Sequence, residues 1–422
     1  MEPTMSTPPD AFAALRNPNV RAFALGRIAA VVGMQVLNVA VGWELYERTG
    51  NPLSLGLVGL VEVVPVVLLV VPSGNAADRF PRRNVAMLAH LALALAAAGL
   101  LFASREAAPL PVVYALLAFI GASRAFAAPA VATILPQLLP SAQFVNANAW
   151  LSSGFQVAAV AGPAVGGALI AWTGGASAAY ATALVGQLVF IALLSRLPAV
   201  VPDRVPRARN LRELFVGLAF IRKQPVFLAA ITLDLFAVLF GGAYALFPVF
   251  AKDVLDVGAA GLGWLRAAPS LGALLTALVL TRLSPWKRPG RVLLVTVSGF
   301  GLATIGFGLS KTFPLSLAFL FLTGVFDEVS VVIRATLEQV ITPDALRGRV
   351  SAMHYVFIGF SNELGSFESG GTAALFGPIA SVVGGGVGTL LVVALVAYVW
   401  PSLARLGPLH TLSPSAADDV AA

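Results

Sequence analysis

The residues of this chain that could do chemistry are charged groups set inside long apolar runs. Arg27, Arg124, Asp234, Asp327, Glu328, Arg334, Glu363 and Glu368 all lie in such runs, as do Glu44, Glu62, Arg266 and Glu338. A charge at the centre of a bilayer costs about 2.5–3.5 kcal/mol even on insertion scales, so these groups face protein or water and mark ion or solute pathways. Shielding from water favours the neutral form of a carboxyl, and an acid so placed can carry a proton. Glu363 and Glu368 fit that role best, because Ser361, Asn362, Gly365, Ser366, Ser369 and Gly370 surround them with a polar, closely packed stretch. The competing reading is that both acids satisfy local hydroxyl, amide or arginine donors. Asp327, Arg334 and Glu338 share one helix face, which predicts an ion-pair ladder in which Asp327 holds a proton poorly. Asp234 is the next candidate.

Other chemistry is poorly supplied. The chain has 0 Cys, so it has no thiolate metal site, cysteine nucleophile or disulfide framework. None of Lys223, Lys252, Lys287 and Lys311 follows a glycine, which removes a phosphate-binding loop of the G-x-x-x-x-G-K type. His90, His354 and His410 fall in separate regions and show no metal-ligand spacing. We expect no cofactor, no metal, no catalytic residues and no enzyme activity.

The elements that position these charges follow from composition. Of 422 residues, 58% are hydrophobic and 11% charged, against roughly 25% charged in a soluble domain. Apolar runs long enough to cross a bilayer begin near Val20, Ser54, Val85, Leu110, Phe144, Ala176, Val226, Gly258, Val292, Pro314, Val350 and Ile379. This predicts an all-α membrane protein with twelve transmembrane helices. The expected units are an N-terminal tail (1–19), a first six-helix bundle (20–196), a basic linker with an amphipathic helix (197–225), a second bundle (226–405) and a C-terminal tail (406–422). The tail before Val20 lacks the basic start and short apolar core of a cleaved signal peptide, so the first span is expected to stay. In the linker, Leu211, Leu214, Phe215, Leu218 and Ile221 recur at helical spacing, which suits a helix lying at the membrane interface or packed on the protein. Arg79, Arg82, Arg83, Arg196, Arg204, Arg207, Arg209, Arg288 and Arg347 crowd the connections on one side, whereas the other side has only Arg48, Arg105, Lys252 and Lys311. The positive-inside rule then puts both termini in the cytoplasm and accounts for the net charge of +7 without nucleic acid.

The two halves repeat each other. Gly59-x-x-Glu62-x-x-Pro65 answers to Gly263-x-x-Arg266-x-x-Pro269, and Gly121 with Ala132-Thr133 answers to Gly324 with Ala335-Thr336. Such a parallel duplication predicts two pseudo-symmetric bundles with a solute site between them. Arg124 and Asp327 occupy matching places, as do Glu62 and Arg266, so charge pairing across the pseudo-twofold axis is one expectation. The third, sixth, ninth and twelfth helices hold almost no central charge and should face lipid.

The loop after the second helix reads Gly74-Asn75-Ala76-Ala77-Asp78-Arg79-Phe80-Pro81-Arg82-Arg83. It resembles the major facilitator superfamily signature G-x-x-x-D-R-x-G-R-R, with Pro81 in place of the second glycine. The fifth helix carries Gly162-Pro163-Ala164-Val165-Gly166-Gly167, similar to the glycine-proline motif of exporters and antiporters in that superfamily. Tyr46-Glu47-Arg48-Thr49-Gly50, Arg124-Ala125-Phe126, Asp234-Leu235-Phe236, Leu246-Phe247-Pro248-Val249 and Arg347-Gly348-Arg349-Val350 extend the resemblance over nearly the whole chain, to the branch that includes the enterobactin exporter. That resemblance implies proton-driven export of a siderophore-like, amphipathic small molecule across the bacterial inner membrane by a protein we expect to be a monomer. Multidrug or macrolide-type efflux is the alternative, and a non-transporting receptor or scaffold a more distant one. Arg27, Arg124, Arg266 and Arg334 suit an anionic or catecholate-like solute better than a cationic drug. The loop motif further implies an inner gate in which Asp78, Arg79 and Arg83 hold the second helix against the start of the eleventh.

Overall fold

The computed structural model describes residues 12–140, 143–199, 211–284 and 286–412. Twelve long helices follow one another. The first six are α1 (Pro18–Thr49), α2 (Pro52–Arg79), α3 (Arg82–Arg105), α4 (Leu110–Ala132), α5 (Phe144–Thr173) and α6 (Ser177–Leu194). After a linker helix, Leu211–Lys223, come α7 (Pro225–Gly241), α8 (Gly258–Leu280), α9 (Pro289–Leu309), α10 (Phe313–Ile341), α11 (Asp344–Phe376) and α12 (Pro378–Val399). Among the described residues there is no strand. Local chemistry sets the ends: Asn17 and Asn51 accept hydrogen bonds from the backbone N–H groups of Asn19 and Leu53, with proline in the first turn. The span begun by α7 breaks at Gly241 and Gly242, passes through a 3₁₀ turn at Ala243–Leu246 and resumes to Val254.

Among the described residues, 11 helices are long and apolar enough to cross a membrane. The exception is α11, which at 33 residues has the length but carries the polar stretch Ser361–Ser369. It is threaded between α2 and α7, which buries Ser361, Gly365 and Ser369 and leaves Asn362 exposed. This is the all-α membrane fold expected from the sequence.

The repeat is visible in the packing. Within the first half α1 lies on α5 and α6, α2 on α4, and α3 on α4 and α6; within the second, α7 lies on α11 and α12, α8 on α10, and α9 on α10 and α12. The halves meet chiefly where α2 packs on α11 and α5 on α8. Helices α3, α6, α9 and α12 pack extensively only within their own half and expose large apolar side chains such as Leu88, Val185, Val295 and Leu391. Two repeat-related glycines make the α2–α4 and α8–α10 contacts possible: a Cβ on Gly121 would stand 2.2 Å from the Glu62 carbonyl oxygen, and one on Gly324 1.9 Å from that of Pro269.

Alternation of the helices puts the α1–α2, α5–α6, α7–α8 and α11–α12 turns on one face, here the far side, and both termini and the linker on the other, the terminal side. Residues 200–210 of the linker and the side chains of Leu211–Phe215 lie outside the described residues. In the remainder of the linker helix Phe220 and Ile221 are buried, and Gly217 abuts the Arg349 carbonyl of α11.

Gly324→Val should cost roughly 1–3 kcal/mol by overpacking and lower the melting temperature of the detergent-solubilised protein. Gly348→Val, where a Cβ meets nothing within 4 Å, should leave it nearly unchanged. Equal melting of the two variants would contradict the close α8–α10 contact.

Candidate functional site

Charges placed on different helices converge in a cavity of about 190 Å³ between the halves. Its first component is the ion pair of Glu62 on α2 with Arg124 on α4, at 2.7 Å. Its second is Glu363, which reaches from α11 across to α2: a Cβ on Gly59 would lie 2.8 Å from Glu363 Oε2. Glu363 is within electrostatic reach of both Glu62 and Arg124. One arginine therefore stands among two acids drawn from opposite halves. Arg266, Tyr244, Asn38 and Ser366 complete the polar wall.

Backbone contacts between the halves close the far side of this cavity. Toward the far side, a Cβ on Gly167 would meet the Ala259 carbonyl at 2.4 Å, and one on Gly370 would meet Gly56 Cα at 2.7 Å, so α5–α8 and α2–α11 approach at backbone distance. The Tyr46 hydroxyl of α1 donates to the Asp253 carboxylate near the end of the seventh span, a hydrogen bond joining the halves. Toward the terminal side lies a cavity of about 840 Å³ lined by α10 and α11, with Arg334, Glu338, Ser351 and His354 on its wall.

The glycine-proline motif of α5 supplies two faces to this arrangement. Gly162 and Gly166 admit Gln35 and Val36 of α1, whereas the Pro163 carbonyl and Gly167 press on Gly263 of α8. Four positions thus let one helix serve as the seam between its own half and the other.

The remaining candidates separate. Arg334 pairs with Asp234 of α7, both buried, while Asp327, half-exposed, lies 4.0 Å from it. Of the expected three-membered ladder the Asp327–Arg334 rung is present, whereas Glu338 accepts from Ser351 and bonds His354 of α11 rather than Arg334. Pairing across the pseudo-twofold axis is replaced for Arg124, whose partner is in its own half. Glu328 is partly buried next to Asp327. Glu368 lies away from the central cavity, with Ser369 Oγ at 3.4 Å from its carboxylate. Arg27 lines a small crevice with Leu151 and Phe155 near the terminal end of α1. In the loop motif, Gly74 is buried, Asp78 half-buried and Arg79 exposed. Arg82 donates to the Thr133 carbonyl and Arg83 to that of Leu197, at 3.2 and 2.7 Å, which ties the start of α3 to the ends of α4 and α6. Arg347 pairs with Asp344 one turn before it.

Sequence reasoning missed the Asp234–Arg334 pair, the Glu338–His354–Ser351 cluster and the Tyr46–Asp253 bond. Tyr46 stood in a quoted motif. The partners of all three lie on different helices, and spacing along one helix gives no sign of them.

Comparison with known proteins agrees with the fold. The family model described as Major Facilitator Superfamily matches residues 23–366. Proteins named Enterobactin exporter EntS from Escherichia coli O1:K1 / APEC and from Shigella boydii serotype 18 are 28% identical over 390 residues, covering 92% of this chain and 93% of theirs. The fold is similar to that of a bacterial homolog of the human lysosomal transporter Spinster in an inward-facing, unoccupied conformation, with TM-score 0.71 and 16% identity over 93% of this chain and 98% of that one. A variant of the peptide transporter POT gives TM-score 0.74 and 12% identity over 93% and 96% of the two chains.

Two outcomes follow from the site. Asp234→Asn strands the buried Arg334 charge and should destabilise the protein by roughly 3–5 kcal/mol, whereas Asp234→Leu with Arg334→Met should recover much of that loss; thermal melting decides. A hydrogen bond to a charged group is worth about 1.5–3 kcal/mol, so Tyr46→Phe should raise far-side labelling of a Ser366→Cys reporter by about tenfold or more. An unchanged labelling rate would show that the bond does not hold the halves together.

Proposed function

The chain belongs to the Major Facilitator Superfamily, and on that premise we propose that this multi-pass membrane transporter exports a siderophore-like organic anion across the bacterial inner membrane by proton-coupled alternating access. The observation that carries the proposal is the sharing of Arg124 between Glu62 of its own half and Glu363 of the other, inside the cavity between the halves. The relatives' name, Enterobactin exporter, supports the solute class and the direction. The terminal side is taken as the cytoplasm, from the crowding of arginine there.

In this scheme the ionised Glu363 and Arg124 hold α11 against α2 and keep the far side closed. A solute anion arriving from the terminal side competes for the arginines of the cavity. Glu363 loses its partner, and the far-side contact loosens. With the far side open, Glu363 takes up a proton, because reburying a bare carboxylate against the α2 backbone is costly. The neutral acid crosses back into contact and gives its proton to the terminal side once Arg124 is again in reach. One organic anion leaves as a proton enters.

Inverted membrane vesicles with an acidic interior should accumulate labelled enterobactin. Glu363→Gln should bind it but show no response to the pH gradient. If Glu363→Gln keeps a normal pH dependence while concentrating substrate, the coupling carboxylate lies elsewhere. Absence of accumulation by the unmodified protein would exclude this solute.

A further inference from the structure

The two halves use matching positions differently. In the first, an acid on α2 and an arginine on α4 close an ion pair, Glu62 with Arg124 at 2.7 Å. The matching residues of the second are Arg266 on α8 and Asp327 on α10, the same two helices of the repeat with the charges exchanged. That second pair is open. Asp327 is half-exposed, with Arg334 4.0 Å away. Among the described residues Arg266 makes no hydrogen bond and no ion pair, and its Nε is buried without a partner.

Helix separation does not account for the difference. Gly324 brings α10 onto α8 as closely as Gly121 brings α4 onto α2. Tyr244 stands within electrostatic reach of both Arg266 and Asp327; Arg266 lines the central cavity, and Asp327 faces a neighbouring crevice with Asp234 and Phe300. Arg266 is half-buried in the cavity wall, with only its Nε shut off from water, and a guanidinium so placed can meet a planar oxyanion with two hydrogen bonds. Such a partner can come from the solute or, by a rearrangement of α10, from Asp327.

We propose that Arg266 is the docking point for a carboxylate or catecholate oxygen of the transported solute, and that Asp327 takes the solute's place on Arg266 in the opposite-facing state. The Glu62–Arg124 pair is the fixed copy of the motif, and Arg266 with Asp327 is the exchangeable one. The solute and Asp327 compete for one guanidinium, so release of the first permits closure by the second. The exchange role of Asp327 rests on the transport reading above; the docking role of Arg266 is a binding property and stands apart from it.

The full-length chain in lipid nanodiscs is titrated with 2,3-dihydroxybenzoate and with the neutral 2,3-dihydroxybenzamide. The unmodified protein should bind the acid about tenfold or more tightly than the amide, as expected for a charge-assisted pair. Arg266→Gln should bind both equally, its retained amide binding showing that it is folded, and Arg266→Lys should keep part of the preference. Because the chain has 0 Cys, a single Val331→Cys reporter on the terminal-side cavity wall follows the other arm. Asp327→Asn should keep the acid preference but lose the solute-dependent change in maleimide labelling. Equal binding of acid and amide by the unmodified protein, binding of neither, or a preference that survives Arg266→Gln would overturn the docking site. Labelling changes that persist in Asp327→Asn would overturn the exchange. Arg266-dependent acid binding without vesicle accumulation of any anion would remove the transport reading and leave the docking site standing.

Discussion

A charge withdrawn from water needs a counter-charge, and in this protein the location of that counter-charge governs the architecture. Asp234 with Arg334 and Glu62 with Arg124 are each settled inside one half. Internal pairing lets each half behave as a rigid body, because separating α7 from α10 or α2 from α4 would strand a buried ion at a cost of several kcal/mol. Glu363 is the departure. It belongs to the second half but lies against the α2 backbone of the first, within electrostatic reach of Arg124. Electrostatic cost therefore concentrates on one contact that crosses between the bodies.

The rest of the boundary between the halves is built to be made and broken. Gly56 on Gly370 and Gly167 on Gly263 are backbone contacts, set beside apolar side chains of both halves that share one buried cluster. In a membrane such contacts gain dispersion energy and little else, since lipid tails are as apolar as the groups they replace. Their loss on opening is modest and spread along the seam. The Tyr46–Asp253 bond adds one directional restraint at the far side. In α5 the same turn of helix grips α1 with Gly162 and Gly166 and meets α8 with Gly167, so a small rotation of one body is transmitted without repacking the other.

The terminal side is organised by different chemistry. Arg82 and Arg83 fasten α3 to the carbonyl ends of α4 and α6, and Glu338 gathers Ser351 and His354 across from α11. The Phe227 ring edge packs on His354 at 6.5 Å. These contacts again lie within a half. Glu338, Ser351 and His354 lie on the wall of the larger cavity, and their bonds join α10 to α11 there.

Much of this was legible in the sequence, because the bilayer permits few ways to bury a backbone. Composition and run length gave helices and their approximate number; only α11, which carries the polar Ser361–Ser369 stretch, fell short of the apolar standard. The register of Gly59, Glu62 and Pro65 with Gly263, Arg266 and Pro269 announced two copies of one bundle, and the charge sorting identified α3, α6, α9 and α12 as peripheral. Partnership was only partly legible. Asp327, Arg334 and Glu338 share a helix face and Asp327 does reach Arg334, yet Arg334 also turns to Asp234 of α7 and Glu338 to α11, because adjacent helices bring in partners that spacing along one helix does not show. Glu363 and Glu368 looked alike in sequence; the rotation of α11 sends the first into the cavity and the second away from it. Periodicity along a chain determines which residues share a face, and only the packing of helices decides what that face meets.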